Sequence, residues 1–387
     1  MVVNIGIGQR RARLGTRHLL AAKAATAGEV ADGLVALHAT DPATVHLAVA
    51  ARQRVPDIPG VEHALYDDRV LVRMLGMRRT MFVVRAGLVP VVQEACTRDV
   101  AARLRSRLEL HLAEVGKTGA WLADVERAVL GALAARGSAT AAELSVDEPR
   151  LRTELVTAPD KSYGAKAFIT SRVLGLLAAD GLIVRGRPRG SWLSGQYSWA
   201  MLGDWLPAGQ AVWPADAARA ELARRWLAAY GPAPVTDLRW WTGWTVAQTR
   251  KALAEVGPVE VDLAGVAGIA LADDLEPVPD PGPWVALLPG LDPTPMGWQS
   301  RDWFLGPHAP ALFDRSGNIG PSVWSDGRIV GGWAQRAGGE VVVELLQDVG
   351  KQASSAIAAE AARLQHWLAD VRVTPRFRTP LERTLSA

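Results

Sequence analysis

One order of predicted elements recurs three times along the chain, and this recurrence limits the possible folds more than any single motif does. Apolar residues at helical spacing are followed each time by runs rich in β-branched residues. In the first round, one helix ends near residue 37, a second begins at 42, a third covers 61–75, and a strand follows over 80–84. In the second round, helices over 121–136, from 140 and over 165–180 precede strands over 182–185 and 196–201. In the third round, helices over 217–230, 235–241 and 245–256 precede strand-like residues over 259–271. This order is typical of a winged helix, in which one helix is free to lie in a groove.

Local signals predict where two helices of the first round begin. Thr26 and Glu29 have the spacing of a capping box, in which each side chain satisfies a backbone amide at a helix start. Asp41 is a good N-cap, and Pro42 suits the first helical position after it. A long basic helix is predicted over 88–115, between the first round and the second.

The last third of the chain follows a different, β-rich pattern. Residues 273–283 are rich in proline and aspartate and indicate a linker. Beyond it, strands are predicted over 284–288, 319–324, 328–333 and 340–346, with a hairpin at Asp326-Gly327, a helix over 354–369 and a short strand over 371–373. We therefore predict an α+β protein with three tandem winged-helix domains at 1–115, 116–203 and 204–275 and a C-terminal antiparallel β domain at 276–387.

The charge is distributed unevenly, although the net charge is only +3. Residues 1–200 contain 27 Lys and Arg against 19 Asp and Glu, and the remaining residues contain 16 against 21. A basic front half and an acidic back half predict that a polyanion is bound by the front half.

Several function classes are disfavoured by what the sequence lacks. The single cysteine, Cys96, excludes an internal disulfide and a cysteine-rich zinc site, and the seven histidines are scattered. Motifs of P-loop enzymes, zinc proteases and α/β-hydrolases are missing, so we expect no metal and no cofactor. There is no signal-peptide pattern and no long apolar run, so we expect a soluble, cytoplasmic, nucleoid-associated monomer that does not contact a membrane.

Two groups of arginines are candidates for contact with DNA, because guanidinium groups suit phosphates and narrow minor grooves. The candidates are Arg185, Arg187 and Arg189 on the predicted wing, and Arg69, Arg73, Arg78 and Arg79 between the third helix and the following strand. The alternatives are a solvated basic turn for the first group and surface pairing with Asp67 and Asp68 for the second. Trp240, Trp241 and Trp244 lie in one helical segment. Most of the 15 tryptophans are expected in the core, and the alternative for a few of them is stacking on a displaced base.

The break between the first two helices presents a candidate catalytic pair, His38 and Thr40. These residues lie two apart, so an extended backbone would point both side chains to the same side, into a cleft. The alternative is a structural histidine that bonds to a helix end.

Five segments resemble the winged-helix DNA glycosylases of the AlkZ/YcaQ type, in the same order and with similar separations. The segments are Arg17-His-Leu-Leu, Leu37-His-Ala-Thr-Asp-Pro, Leu71-Val-Arg-Met-Leu-Gly-Met-Arg-Arg-Thr, Leu288-Pro-Gly-Leu-Asp-Pro and Trp324-Ser-Asp-Gly-Arg-Ile-Val-Gly. The resemblance implies three winged helices and a β-rich domain in a C shape around a basic channel. It also implies excision, without a metal, of N7-alkylated purines, bulky guanine adducts and some interstrand cross-links from duplex DNA.

The chain departs from the family's pattern at the catalytic motif. Relatives carry Gln-x-Gln or Gln-x-Asp there, and by position His38 replaces the first glutamine and Thr40 the second residue. Relatives often also have Leu-His where this chain has Met81 and Phe82. A neutral histidine and a hydroxyl can still hold the attacking water, so we expect a monofunctional DNA glycosylase. The alternatives are a non-catalytic DNA-binding regulator or architectural clamp and a small-molecule-binding protein, and release of a free base from alkylated DNA would separate them.

Overall fold

The computed structural model describes residues 2–157, 165–206 and 211–387, and these residues form helices and small sheets. The predicted α+β class is confirmed. Within these ranges, no helix is both long enough and apolar enough to cross a membrane.

The first part of the chain contains one three-stranded sheet and six helices. Its elements are β1 Val3–Asn4, α1 Ile7–Arg17, α2 Ala27–Gly33, β2 Leu37–His38, α3 Pro42–Ala50, α4 Ile58–Tyr66, β3 Leu71–Leu75, β4 Met81–Arg85, α5 Val89–Val92 and α6 Arg98–Ala113. The predicted helix starts are confirmed: the Thr26 hydroxyl accepts a hydrogen bond from the amide of Glu29, and the Asp41 carboxylate accepts one from Ala43.

The helix predicted over 61–75 is wrong in its second half. Helix α4 ends at Tyr66, and β3 pairs with β4 in the sheet order β2-β4-β3, with Arg73 opposite Val83. Four of the five residues of β3 are buried, and such a strand gives a nearly continuous apolar run that periodicity alone does not distinguish from a helix.

The long helix predicted over 88–115 is interrupted. A π-helical turn, Gln93–Thr97, separates α5 from α6, and the Thr97 hydroxyl donates to the carbonyl oxygens of Val92 and Leu75. A hydroxyl that bonds five residues back competes with the regular helical ladder.

The second part of the chain repeats the order of α2–β4 with an inserted hairpin. Its elements are α7 Gly119–Arg136, β5 Ala139–Thr140, α8 Ala141–Asp147, β6 Glu154–Thr157, β7 Ala165–Phe168, α9 Thr170–Ala179, β8 Ile183–Pro188, β9 Tyr197–Met201 and α10 Leu202–Trp205. The sheet order β5-β9-β8 matches that of the first sheet. Leu108 and Leu112 of α6 pack into the core of this second repeat.

Two sequence predictions in this repeat need correction. Residues 165–168, predicted as helix, form β7 because they pair with β6, with Leu155 opposite Ala167; such pairing overrides local propensity. Strand β8 extends to Pro188, so Arg185 and Arg187 lie on a strand and only Arg189 lies in the connecting loop.

The third repeat consists of α11 Ala215–Tyr230, α12 Val235–Thr242, α13 Val246–Val256, β10 Val259–Asp262 and β11 Ala267–Ala270. Ala233 forms a bridge with Ile269 and takes the place of the first strand. At the other edge of the sheet, β1 pairs with β10, so the N-terminal residues of the chain complete the third repeat. The order helix, strand, helix, helix, strand, strand thus occurs three times.

The C-terminal part is a four-stranded antiparallel sheet with helices around it. Its elements are β12 Val285–Leu288, α14 Asp302–Leu305, α15 Ala309–Leu312, β13 Ser322–Ser325, β14 Arg328–Gln335, β15 Val341–Leu345, α16 Gly350–Leu368 and α17 Pro380–Leu385. Asp326 and Gly327 both have positive φ in the β13–β14 turn, so the predicted hairpin is confirmed. Residues 371–373 form no strand. The Gln335 side-chain amide donates a hydrogen bond to the carbonyl oxygen of Val371 and accepts one from the amide of Val373, so these backbone groups are not available for strand pairing.

A fully buried ion pair joins the first repeat to the C-terminal part. The Arg52 guanidinium donates to both carboxylate oxygens of Asp292, at 2.7 and 2.8 Å, and both side chains are 0% exposed. Arg52 also bonds Thr294, whose hydroxyl lies 2.8 Å from Nδ1 of His18. Two of the five segments that carry the family resemblance, 17–20 and 288–293, therefore meet in one buried polar network.

Candidate functional site

His38 is positioned by the pairing of β2 with β4. It lies directly opposite Phe82, so both side chains point to the same face of the sheet, with ring centroids 5.4 Å apart. The side chain is only 5% exposed, and no described residue forms a hydrogen bond with its buried Nδ1. The ring is therefore less open than the sequence predicts, but it is not the backbone-bonded structural histidine of the alternative interpretation.

The surroundings of His38 keep its ring neutral. Burial, and secondarily the positive charge of Arg78, lower the pKa of His38 to about 3. Both effects disfavour a second positive charge in a desolvated site. At neutral pH the ring therefore has one nitrogen that accepts a hydrogen bond and one that donates.

The backbone around His38 is held from both sides. The amide of Ala39 donates to the carbonyl oxygen of Met81, and the Arg73 guanidinium donates to the carbonyl oxygen of Ala39, each over 2.8 Å. Arg73 is only 4% exposed, so its hydrogen bond supports residues 38–40 from the protein interior. The half-buried Thr40 follows, and its carbonyl oxygen accepts a bond from Arg376.

Arg78 and Arg79 lie in the turn between β3 and β4 and have positive φ angles of 52° and 59°. Residues other than glycine are strained in this region, at a cost of about 1–3 kcal/mol each, and such strain concentrates at functional sites. The Arg78 guanidinium lies 3.9 Å from the ring centroid of Trp240, and the Arg301 guanidinium lies 4.9 Å from it. Burial lowers the pKa of Arg78 to about 10, so this side chain remains charged beside His38 at neutral pH.

Trp240 and Arg301 were not singled out as site residues from the sequence. Trp240 occurs among core tryptophans, and Arg301 lies in a segment with no helical or strand pattern. Trp240 reaches Arg78 because the third repeat packs against the β3–β4 turn, and Arg301 reaches the same ring from the C-terminal part. No local signal encodes either contact.

Three of the predicted arginines pack between the first two repeats. Their guanidinium groups lie over aromatic rings: Arg69 over Trp205, Arg73 over Tyr197, and Arg185 over Trp199, at 4.4–5.0 Å. Arg185 also contacts the sulfur of Met81, and burial lowers its pKa to about 10. These side chains connect the repeats, a role that the alternating aromatic residues of β9 could have indicated.

The two remaining wing arginines have acidic partners. Arg187 forms an ion pair of 2.8 Å with Asp67 of the first repeat, and Arg189 forms one of 2.5 Å with Glu143. Trp192, in the same β8–β9 loop, is buried against His46 of α3. The loop therefore packs on the first repeat.

The described part of the chain contains no group of three His, Cys, Asp or Glu side chains that could hold a metal ion. Cys96 is buried beside Trp244, and burial raises the pKa of its thiol to about 12, so it is not a reactive thiolate at neutral pH.

Comparison with known families assigns a class to this fold and site. The family model described as DNA glycosylase AlkZ-like matches residues 31–367. The chain belongs to the AlkZ-like DNA glycosylases, enzymes that hydrolyse N-glycosyl bonds in DNA, and the family predicted from the motifs is confirmed.

One relative, found both by its sequence and by its solved structure, is similar over nearly the whole chain. The interstrand DNA cross-link repair glycosylase of Streptomyces sahachiroi is 26% identical over 361 residues, which cover 88% of this chain and 90% of that protein. The solved structure of Streptomyces sahachiroi DNA glycosylase AlkZ superposes with a TM-score of 0.73 at 24% identity and covers 94% of this chain and 97% of its own. The shared fold therefore includes all three repeats and the C-terminal part.

Proposed function

We propose that this protein is a monofunctional DNA glycosylase that releases N7-alkylated or bulky purine adducts from duplex DNA and acts on interstrand cross-links. One observation carries the proposal. At the position of the family's first catalytic glutamine, a neutral histidine keeps a ring nitrogen without a hydrogen-bond partner among the described residues. The name of the Streptomyces sahachiroi relative supports cross-links as a substrate class.

The chemistry needs little more than a well-placed water molecule. An N7-alkylated purine is already cationic, so it leaves as a neutral base without a general acid. Water then attacks C1′ of the sugar as positive charge develops there, as in glycoside hydrolysis. His38 accepts a hydrogen bond from this water through Nε2, since Nδ1 is fully buried, and the hydroxyl of Thr40 provides a second contact.

The low pKa of His38 restricts its role. A base with a pKa of about 3 holds water well at neutral pH but takes a proton from it poorly. The proton is therefore released to solvent after the bond between water and C1′ has formed. A ring with 5% exposure also suits contact with one water molecule better than contact with a whole displaced base.

We further propose that the three repeats are winged helices and that they form, with the C-terminal β domain, a C-shaped monomer around a basic channel. The repeated element order and the matching sheet orders support this assignment. We keep the domain limits proposed from the sequence. Leu108 and Leu112, which lie before the limit at residue 115, nevertheless pack into the core of the second repeat. The channel would hold alkylated duplex DNA.

The second candidate function is a non-catalytic DNA clamp. Burial of His38 favours it, together with the lack of the family's amide and carboxylate side chains at 38 and 40.

A base-release assay separates the two candidates. Purified protein is incubated with methylated duplex DNA and with cross-linked duplex DNA, and free bases are identified by mass spectrometry. The glycosylase releases 7-methylguanine and leaves abasic sites that alkali cleaves. Binding to both duplexes with no base released over hours would establish the clamp instead.

A further inference from the structure

A basic groove of about 300 Å³ lies between α6 and the beginning of α9. Arg79 of the β3–β4 turn, Arg107 of α6 and Arg172 of α9 line it, together with His111. No aspartate or glutamate is among its described lining residues. We call this feature the α6–α9 groove.

The three arginines of the groove are not neutralised by the protein. Within the described ranges, the side chains of Arg79 and Arg107 have neither a hydrogen-bond partner nor an ion-pair partner. Arg172 donates to Nδ1 of His111 over 3.0 Å, a contact that orients the guanidinium without cancelling its charge.

Two other arginines of α6 are neutralised by acidic side chains. Arg105, two residues before Arg107, pairs with Glu126 and Asp180, and Arg98 pairs with Glu94 at the beginning of α6. Three like charges around one groove repel each other, and a bound anion would remove that repulsion.

The walls of the groove fit a sugar-phosphate backbone. Leu104, Leu108 and Gly175 give it an apolar floor beneath the guanidinium groups. Leu104, Gly175 and Arg79 also line a second cavity, of about 170 Å³, between the first and second repeats. The two spaces are therefore adjacent, and they offer an apolar surface for deoxyribose next to cations for phosphate.

The groove is linked to the candidate catalytic residue through one turn. Arg79 follows Arg78, whose charge acts on His38. We infer that the α6–α9 groove binds backbone phosphates of the duplex beside the damaged nucleotide, through Arg79, Arg107 and Arg172. This inference rests on the proposed function in one respect, that the ligand is duplex DNA.

Binding of an undamaged duplex tests the inference without requiring base release. Arg79→Gln, Arg107→Gln and Arg172→Gln are compared with wild type by fluorescence anisotropy between about 50 and 200 mM salt. Each substitution should raise Kd about 3- to 10-fold and lower the slope of log affinity against log salt by about 0.9, because one phosphate contact is lost.

Arg127→Gln is the matched control. Arg127 is exposed on α7 in the same repeat, forms an ion pair with Asp124 and lies outside the groove, so its loss changes net charge equally. It should leave Kd and the salt slope at their wild-type values. Melting temperatures of all variants check that folding is intact.

A triple variant that binds with wild-type Kd and salt slope would overturn the inference, even if wild-type protein releases bases. Conversely, a wild-type protein that binds DNA but releases no base, together with a triple variant whose salt slope is lower than that of wild type, would overturn the proposed glycosylase and leave the groove's assignment standing.

Discussion

Burial and the Arg78 cation both lower the pKa of His38, and no acidic side chain among the described residues acts in the opposite direction. The protonated form is populated only as pH falls towards about 3, so the ring is neutral at every pH at which the protein would be assayed. A histidine in this state resembles the glutamine of the family more than it resembles a general base, since both offer a neutral acceptor and a neutral donor.

This electrostatic state predicts a flat pH profile. The rate of base release in single-turnover experiments with saturating protein should change less than about twofold between pH 5.5 and 8.5, because His38 does not titrate there. The substrate should contain N7-methylguanine, which is already cationic, so that protonation of the base does not contribute to the pH dependence of the rate. A rate that rises with an apparent pKa near 6.5 would show that His38 titrates as an ordinary histidine and takes a proton.

At the scale of elements, the sequence predicts best where one residue determines the local structure. Thr26 and Asp41 cap the helices that they were expected to cap, and Asp326-Gly327 makes the expected turn. Prediction fails where strand pairing decides the structure, as in β3 and β7, whose residues pair with the neighbouring strands β4 and β6. The segment 38–40 was found from its position between capped helices, but its burial depends on Phe82 and on Arg73, which come from the partner strands.

The β8–β9 hairpin illustrates the same limit and leads to a second prediction. Arg187 and Arg189 must leave Asp67 and Glu143 before they can contact phosphate. The double variant Arg187→Ala/Arg189→Ala should therefore lose less DNA affinity than Arg107→Gln/Arg172→Gln, measured by anisotropy at the same salt. Since exposed ion pairs contribute little to stability, its unfolding free energy should stay close to that of wild type. A greater loss of affinity in the hairpin variant would place the main phosphate contact on the hairpin.

At the scale of the whole molecule, the first repeat and the C-terminal part are joined through charges rather than through apolar packing alone. Arg52 donates to Asp292, to Thr294 and to two carbonyl oxygens, so its charge is fully partnered inside the protein. The segment that contains Asp292 was singled out from the sequence but Arg52 was not, and 240 positions separate the two residues.

Removing the acidic partner of this pair should destabilise the protein strongly. Asp292→Ala leaves the Arg52 guanidinium buried without a counter-charge and is expected to cost about 3–5 kcal/mol of unfolding free energy. Urea denaturation measures the loss, and Asp302→Ala, which removes an acid with no ion pair among the described residues, serves as the control. An Asp292→Ala midpoint equal to that of wild type would show that the pair does not hold the two parts together.

The role of His38 can be tested most directly by single-turnover release of 7-methylguanine from a methylated duplex. His38→Ala should slow release by about 10²-fold, the effect expected when a reacting group is misplaced, with DNA affinity nearly unchanged. His38→Gln restores the family's residue and should retain most of the rate, while Thr40→Ala should cost less than His38→Ala because water can partly refill the space. Release by His38→Ala at the wild-type rate would contradict the assignment of His38 as the group that holds the attacking water.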